Sequence, residues 1–184
     1  MRYSAVDYSH QQLAMRLKPG CQCIDATAGR GHDTAFLCSL AGETGMVTAF
    51  DVQQEALDST AKRLEELGYH ARLILDSHHR MEAYFPPESV DAITFNFGWL
   101  PGGNHAIFTK PDTSIPAIEA GLRLLRPGGV MSLCIYSGKD TGYQERDALL
   151  EFLPSLPQEQ YTVLITRFSN RPNDPPIPVL ILKE

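Results

Sequence analysis

The sequence predicts an α/β fold: a doubly wound, mostly parallel seven-stranded sheet with helices on both faces and a C-terminal antiparallel hairpin. Three observations lead there. Short apolar, β-rich runs alternate with segments of helical periodicity along the chain. The first such run ends in Asp25-Ala26-Thr27-Ala28-Gly29-Arg30-Gly31, a turn that opens directly into a helix. The last two runs are joined by a Pro/Asn loop too short for a parallel crossover, so they should pair antiparallel.

The elements follow in order. Residues 8–17 place apolar side chains at helical spacing and stop at Lys18-Pro19-Gly20. CQCIDAT (21–27) reads as a strand and GHDTAFLCSLAG (31–42) as a helix closed by Gly42. MVTAFDV (46–52) is a second strand, and QEALDSTAKRLEELG (54–68) a helix ending at Gly68. ARLILDS (71–77) and VDAITFNF (90–97) are the third and fourth strands. Residues 113–125 are helical up to the Arg126-Pro127-Gly128-Gly129 breaker, and VMSLCIY (130–136) is a fifth strand. Residues 145–153 form another helix, and YTVLITRFS (161–169) and PVLILKE (178–184) make the hairpin. Repeats and linkers are not evident, so residues 1–184 read as one domain.

Composition narrows the function classes. The chain is 43% hydrophobic and 21% charged, as in ordinary soluble proteins, and no stretch has the apolar length of a membrane span. MRYSAVDYSH lacks the apolar core of a signal peptide, which suggests a cytoplasmic protein. A formal charge of −6 argues against broad, charge-driven nucleic-acid binding but leaves room for a local basic patch. Cys21, Cys23, Cys38 and Cys134 lack paired CxxC spacing; buried free thiols account for them better than half a metal site. His78-His79 is a poor metal pair because adjacent residues rarely ligate together, so no metal is expected.

In a sheet of this kind, ligands bind at the carboxyl ends of the strands. Four successive strand ends carry Asp25, Asp51, Asp76-Ser77-His78 and Asn96. Gly29 and Gly31 let the first turn tighten and leave room for a ligand. Asp51 lies twenty residues after Gly31, where an acidic side chain can accept both hydroxyls of a ribose. Aspartates also cap turns, but four polar strand ends with the glycines point to a nucleoside-type cofactor. A dinucleotide fingerprint requires G-x-G-x-x-G, whereas this loop reads G-x-G-x-x-T. Asp33 in the first helical turn would repel a pyrophosphate and suit the cationic amino-acid end of S-adenosylmethionine. The residues therefore favour S-adenosylmethionine over NAD.

Several motifs together resemble a known family. D-A-T-A-G-x-G-H-D-T (25–34), A-F-D-V-Q (49–53), D-S-H (76–78), N-F-G-W-L-P-G-G (96–103) and N-x-x-N-x-P-P (170–176) are similar to those of small class I methyltransferases labelled rRNA methylases. That family is associated with tRNA 5-aminomethyl-2-thiouridine methyltransferase. The resemblance implies a Rossmann-like class I methyltransferase fold and S-adenosylmethionine as cofactor. The implied reaction is methyl transfer to the amine of the wobble uridine in a tRNA anticodon stem-loop. Carried over by motif, the cofactor contacts are Thr27, Arg30, Gly31, Asp33, Asp51, Gln53, Ser77 and His78, beside Asp25, Gly29 and Asp76 from the strand-end reading. The chain departs from the family pattern at Arg30, at Ser137 and Lys139, and at Arg171.

Methyl transfer to nitrogen needs a neutral amine with its lone pair aimed at the methyl carbon. Asn96 and the backbone carbonyl that follows can each accept an N–H and fix the amine's rotation. Trp99 either offers a stacking face for an extruded base or packs in the core, and Asn96 could instead cap a turn. Pro101-Gly102-Gly103 would be a hinge. His105 and Asp112 are candidates for the proton acceptor, or ordinary surface residues. Phe97, Tyr136, Lys139 and Arg171 are the expected substrate contacts, with Arg167 near the same edge. Methylation of rRNA, a small-molecule amine or a protein is the nearest alternative, and an NAD-binding reductase or silent nucleotide-binding module the more distant one. Monomer and homodimer both remain open.

Overall fold

The computed structural model describes residues 3–98 and 109–184, and of residues 139–141 the backbone alone. Seven strands form one sheet in the order β3-β2-β1-β4-β5-β7-β6. The strands are β1 (Gln22–Asp25), β2 (Met46–Asp51), β3 (Arg72–Leu75), β4 (Val90–Phe97), β5 (Leu125–Ile135), β6 (Tyr161–Ile165) and β7 (Ile177–Lys183). The pairs through β5 are parallel, and β7 pairs antiparallel with both β5 and β6. The chain thus reverses strand order at β1/β4, which makes the carboxyl ends of those two strands the natural crevice.

Helices α1 (Ala5–Ala14), α2 (His32–Ala41) and α3 (Gln54–Leu67) cover one face. Leu13, Leu37, Cys38 and Leu64 pack there against Cys23, Val47, Ala92 and Val130. Helices α4 (Pro111–Leu124) and α5 (Lys139–Phe152) cover the other, where Ile118, Leu122 and Leu149 meet Ile93, Phe95, Met131 and Leu133. Among the described residues no helix is long and apolar enough to cross a membrane. All four cysteines are buried free thiols.

Several boundaries differ from those read in the sequence, each for a local reason. Helix α1 begins three residues early because Ser4 and Asp7 form a reciprocal capping box, the Ser4 hydroxyl accepting from the Asp7 N–H. Residues 126–129, read as a breaker, lie within β5: Val90 pairs with Leu125, the chain bulges, and pairing resumes at Ala92 with Val130. Gly128 takes φ +78° there, a value an L side chain rarely adopts. Helix α5 starts at Lys139, six residues before the expected start. A 3₁₀ turn at His78–Ala83, unread in the sequence, carries Met81 into the core.

Candidate functional site

The site is built on the period of β4. Alternate residues of a strand face opposite sides, so Ala92, Thr94 and Asn96 look toward α1 and α2, while Ile93, Phe95 and Phe97 look toward α4. Asn96 therefore projects to the face where the β1 turn and the start of α2 lie. Its backbone N–H donates to Thr27 Oγ1 at 2.7 Å, and its amide nitrogen donates to Asp33 Oδ2 at 2.6 Å. An ionised carboxylate can only accept, so the Asn96 amide must turn its nitrogen to Asp33 and its oxygen away. The side-chain oxygen is thereby left to accept from another donor.

Asp33 is shared. Its Oδ1 lies 2.8 Å from Nε2 of His10, whose ring stacks flat on Phe36 at 3.7 Å between centroids. His10, Asp33 and Asn96 thus form one chain of contacts from α1 through α2 to β4, around a small cavity that Ser9 and Cys134 also line. The sequence reading missed His10, because no motif marks a partner that sits twenty-three residues away on another helix.

The β1 turn is held from beneath. Gly31 takes φ +75° at the start of α2, and a Cβ there would meet Thr60 at 2.9 Å, so only glycine fits. Asp51 Oδ2 accepts from the Gly29 N–H at 3.0 Å, and Oδ1 accepts from the Gln53 N–H at 3.0 Å. Burial pushes the Asp51 carboxyl up from its ordinary value. The Val52 backbone also bonds the carboxylate, which leaves acceptor capacity for one further donor. Arg30 pairs with Glu55 at 2.9 Å, and its carbonyl accepts from Arg63.

Asp25 takes a different position from the one expected of a ligand contact. It is fully buried, with Thr34 Oγ1 donating to one oxygen at 2.6 Å and the Thr27 N–H to the other. Burial, and then the charge of Asp33, push its carboxyl up to about 7. It braces the turn that carries Thr27.

At the end of β3, Asp76 accepts from the Ser77 N–H and from the Tyr84 hydroxyl, and the Ser77 hydroxyl meets His79 at 2.8 Å. His78 is 8% exposed, with its ring edge-on to Phe95 and Phe97. Burial lowers its pKa to about 4, so the ring is neutral. A hydrogen bond to the Ala26 backbone takes one ring nitrogen, and Nε2 is buried without a partner among the described residues. A buried lone pair in that state is a ready acceptor for a ligand amino group.

The expected substrate contacts divide. Phe97 is 1% exposed and stacks on Phe95, on the face opposite Asn96, because it is the next residue along the strand. Tyr136 is exposed, just past the end of β5 and close to Gly98. Arg171 lies beyond β6, its guanidinium 3.9 Å over the Phe168 ring. Trp99, Pro101-Gly102-Gly103 and His105 fall outside the described residues, as does the side chain of Lys139. Asp112 is exposed in the first turn of α4.

Gly98 and Thr109, the described residues on either side of 99–108, bond to each other. Thr109 N–H donates to the Gly98 carbonyl at 3.0 Å, and Gly98 N–H donates to Thr109 Oγ1 at 2.7 Å. Thr109 Oγ1 and the Ser114 hydroxyl each donate to the buried carboxylate of Glu145 on α5. Burial raises the Glu145 carboxyl. No sequence motif marked these contacts, whose members lie on three separate segments. Among the described residues no cluster of His, Cys, Asp and Glu could hold a metal ion.

The arrangement fits a nucleoside with a cationic tail. The glycine turn admits it, Asp51 keeps acceptor capacity for a hydroxyl, Asp33 supplies a carboxylate, and His78 offers an acceptor without a partner among the described residues. Comparison with known proteins agrees. A family model described as "Putative rRNA methylase" matches residues 47–182. The Arabidopsis thaliana protein named tRNA (mnm(5)s(2)U34)-methyltransferase, chloroplastic, is 31% identical over the whole chain and 71% of that protein. A crystal structure described as "putative rRNA-methylase" from Clostridium thermocellum superposes with a TM-score of 0.96 at 41% identity, covering all of both chains. A protein from Streptococcus mutans described as "a putative methyltransferase", solved in complex with SAH, superposes at 0.90 with 37% identity over all of both chains.

Proposed function

The chain belongs to the rRNA methylase family, and from that premise we propose that it is an S-adenosylmethionine-dependent RNA methyltransferase acting on the 5-aminomethyl group of a tRNA wobble (2-thio)uridine. The observation that carries this reading is Asn96, whose amide nitrogen is held by Asp33 and whose backbone N–H is held by Thr27, so that its side-chain oxygen remains as an acceptor in a fixed side chain. The name of the Arabidopsis relative supports the wobble uridine as acceptor.

When bound, S-adenosylmethionine supplies an electrophilic methyl on a sulfonium sulfur. Asp51 would accept a ribose hydroxyl and so tie the ligand to the turn it already braces at Gly29. Asp33 would face the cationic amino-acid end, and His78 Nε2 would accept from the adenine amino group. Gly29, Arg30, Gly31 and Gln53 shape the turn and its far wall, with Asp76 and Ser77 at the rim.

The acceptor amine is an alkyl amine and is mostly protonated near neutral pH, with an ordinary pKa of about 10. It reacts only after that proton is lost. Asn96 Oδ1 and the following backbone carbonyl then each accept one N–H, which leaves the nitrogen lone pair pointing at the incoming methyl. Positioning of this kind supplies several kcal/mol of a barrier. The proton released on methylation passes to solvent. A tRNA in the anticodon stem-loop fits this acceptor, because loop bases are already partly splayed.

Nucleosides of tRNA from a deletion strain, measured by mass spectrometry, test the proposal. Accumulation of the unmethylated 5-aminomethyl nucleoside, reversed by the wild-type gene, is expected. An unchanged nucleoside profile would reject the wobble uridine and leave rRNA or a small amine as acceptor.

A further inference from the structure

We infer that a second cleft at the carboxyl edge of the sheet, on the far side of β4 from the cofactor turn, is a subsite for a backbone phosphate of the RNA strand beside the target nucleotide. The inference rests on the RNA-methylation reading above and adds to it a site and a ligand chemistry. The cleft has a volume of about 430 Å³ and lies between α5 and the connection from β6 to β7. Arg146, Arg167 and Arg171 line it, with Phe168 on its wall and Ser137 at its inner end.

Three features mark it as an anion site. The first is how the arginines are held. Arg171 lies 3.9 Å over the Phe168 ring and Arg146 4.7 Å over the Tyr143 ring. Stacking fixes a guanidinium's direction without using its N–H donors. Arg146 also pairs with Asp147, while Arg167 and Arg171 have no carboxylate partner among the described residues. Asp174, the other acidic residue of the cleft, lies 3.2 Å from the Tyr143 hydroxyl. Arg171 thus offers an open, oriented guanidinium fork, which matches phosphate geometry, with the Arg167 guanidinium beside it in the same cleft.

The second feature is Ser137. Its Oγ is buried with no hydrogen-bond partner among the described residues, although it lines this cleft. A buried hydroxyl without a partner is costly unless a ligand satisfies it.

The third is the rim. The closing N-x-x-N-x-P-P stretch forms it, and Asn173 and Asp174 take φ +64° and +42° in succession. Two non-glycine residues in the left-handed region are strained, and Pro172, Pro175 and Pro176 around them limit relaxation. A rim fixed in this way is preorganised for a ligand.

Position selects the strand beside the target. In the sheet register Asn96 lies opposite Cys134 and Phe97 opposite Ile135, which in turn faces Ile177 at the start of β7. Adjacent strands lie about 5 Å apart, so the cleft begins about 10 Å across the sheet from Asn96. Exposed Tyr136 stands between them as a surface over which the base can pass. The cofactor turn lies the other way, on β1 and β2. A strand with its base at Asn96 therefore runs its phosphates toward the arginines.

The test is the salt dependence of binding for an anticodon stem-loop RNA carrying 5-aminomethyluridine. For single strands the slope of log K against log salt changes by about 0.7 for each phosphate that the protein ceases to neutralise. Arg167→Gln/Arg171→Gln should lower the slope by about 0.7 and weaken binding at low salt. Affinity for S-adenosylhomocysteine and the melting temperature should stay as in wild type. Ser137→Ala should weaken RNA binding with no change of slope. An unchanged slope in the double variant overturns the inference, as does weaker binding with the wild-type slope, since the arginines would then only support the loop. Wild-type turnover on the same RNA tests the functional reading separately. Binding with the expected slopes but no methylation removes that reading and keeps the cleft; methylation with an unaltered slope in the variant removes the cleft alone. Absence of RNA binding by wild type removes both.

Discussion

The two edges that flank β4 are built by different means. On the side proposed for the cofactor, short turns follow β1, β2 and β3, and the side chains at the turns are locked by bonds to the backbone: Asp51 to Gly29 and Gln53, Thr27 to the Asn96 N–H, and beneath them buried Asp25 to Thr27. On the opposite side, a long connection joins β6 to β7, and two of the three arginines that line the cleft, Arg146 and Arg171, are laid on aromatic rings. The contrast reflects what each edge would bind. A small rigid cofactor is held by atoms fixed to a fraction of an ångström, which the backbone supplies. A polyanionic strand is held by charge, which longer side chains can supply from loops.

The strongest test of this contrast falls on the residue between the two edges. Asn96→Ala should lower the single-turnover methylation rate by about a hundredfold or more and leave S-adenosylmethionine affinity within a few-fold of normal. Asn96→Asp should bind RNA better than it turns over, because an adjacent anion holds the amine protonated, with partial rescue as pH rises. Near-normal turnover in the alanine variant would reduce Asn96 to a strand-end cap.

On the cofactor edge, Asp51→Ala should weaken S-adenosylhomocysteine binding by about tenfold or more in calorimetry, since hydrogen bonds to a charged group are worth about 1.5–3 kcal/mol. Because the carboxylate also holds the Gly29 and Gln53 amides, the melting temperature should fall with it. Lost stability with normal affinity would make the residue a brace for the turn and nothing more.

Thr27→Val separates holding from binding. It keeps the shape but leaves the Asn96 N–H without its acceptor, at about 1–3 kcal/mol. Turnover should fall further than cofactor affinity, because the misplaced group is Asn96. Equal losses in both would place Thr27 in direct contact with the cofactor.

The smallest effect expected is at Asp25, whose raised carboxyl stabilises the fold fully below its ordinary value of 3.8 and progressively less as pH rises through about 7. Asp25→Asn cannot ionise, so its melting temperature should vary less than that of wild type between those two pH values. A wild-type profile already flat over that window would show that Asp25 stays charged at its buried site.

The cofactor edge was more legible in the sequence than the other. Gly29, Gly31, Asp51 and Asp76 belong to local motifs, and a turn of a few residues is decided by nearby sterics. Phe97 was read beside Asn96 because it follows Asn96 in the chain, yet the period of the strand sends it to the other face, under α4. Asp25 was grouped with the other strand-end acids, and only the packing of Thr34 against it shows it closed off from solvent.

What the sequence determined by itself was the alternation of strands and helices, the glycine turn and the antiparallel close, because hydrophobic period and backbone freedom are properties of neighbouring residues. Tertiary structure alone decided which side chains meet: His10 with Asp33, Thr27 with Asn96, Glu145 with Thr109, and three arginines around one cleft. These contacts join segments distant in the chain, and their energies depend on burial and on the direction of each donor and acceptor. Neither quantity exists until the sheet has closed and the helices have packed on its two faces.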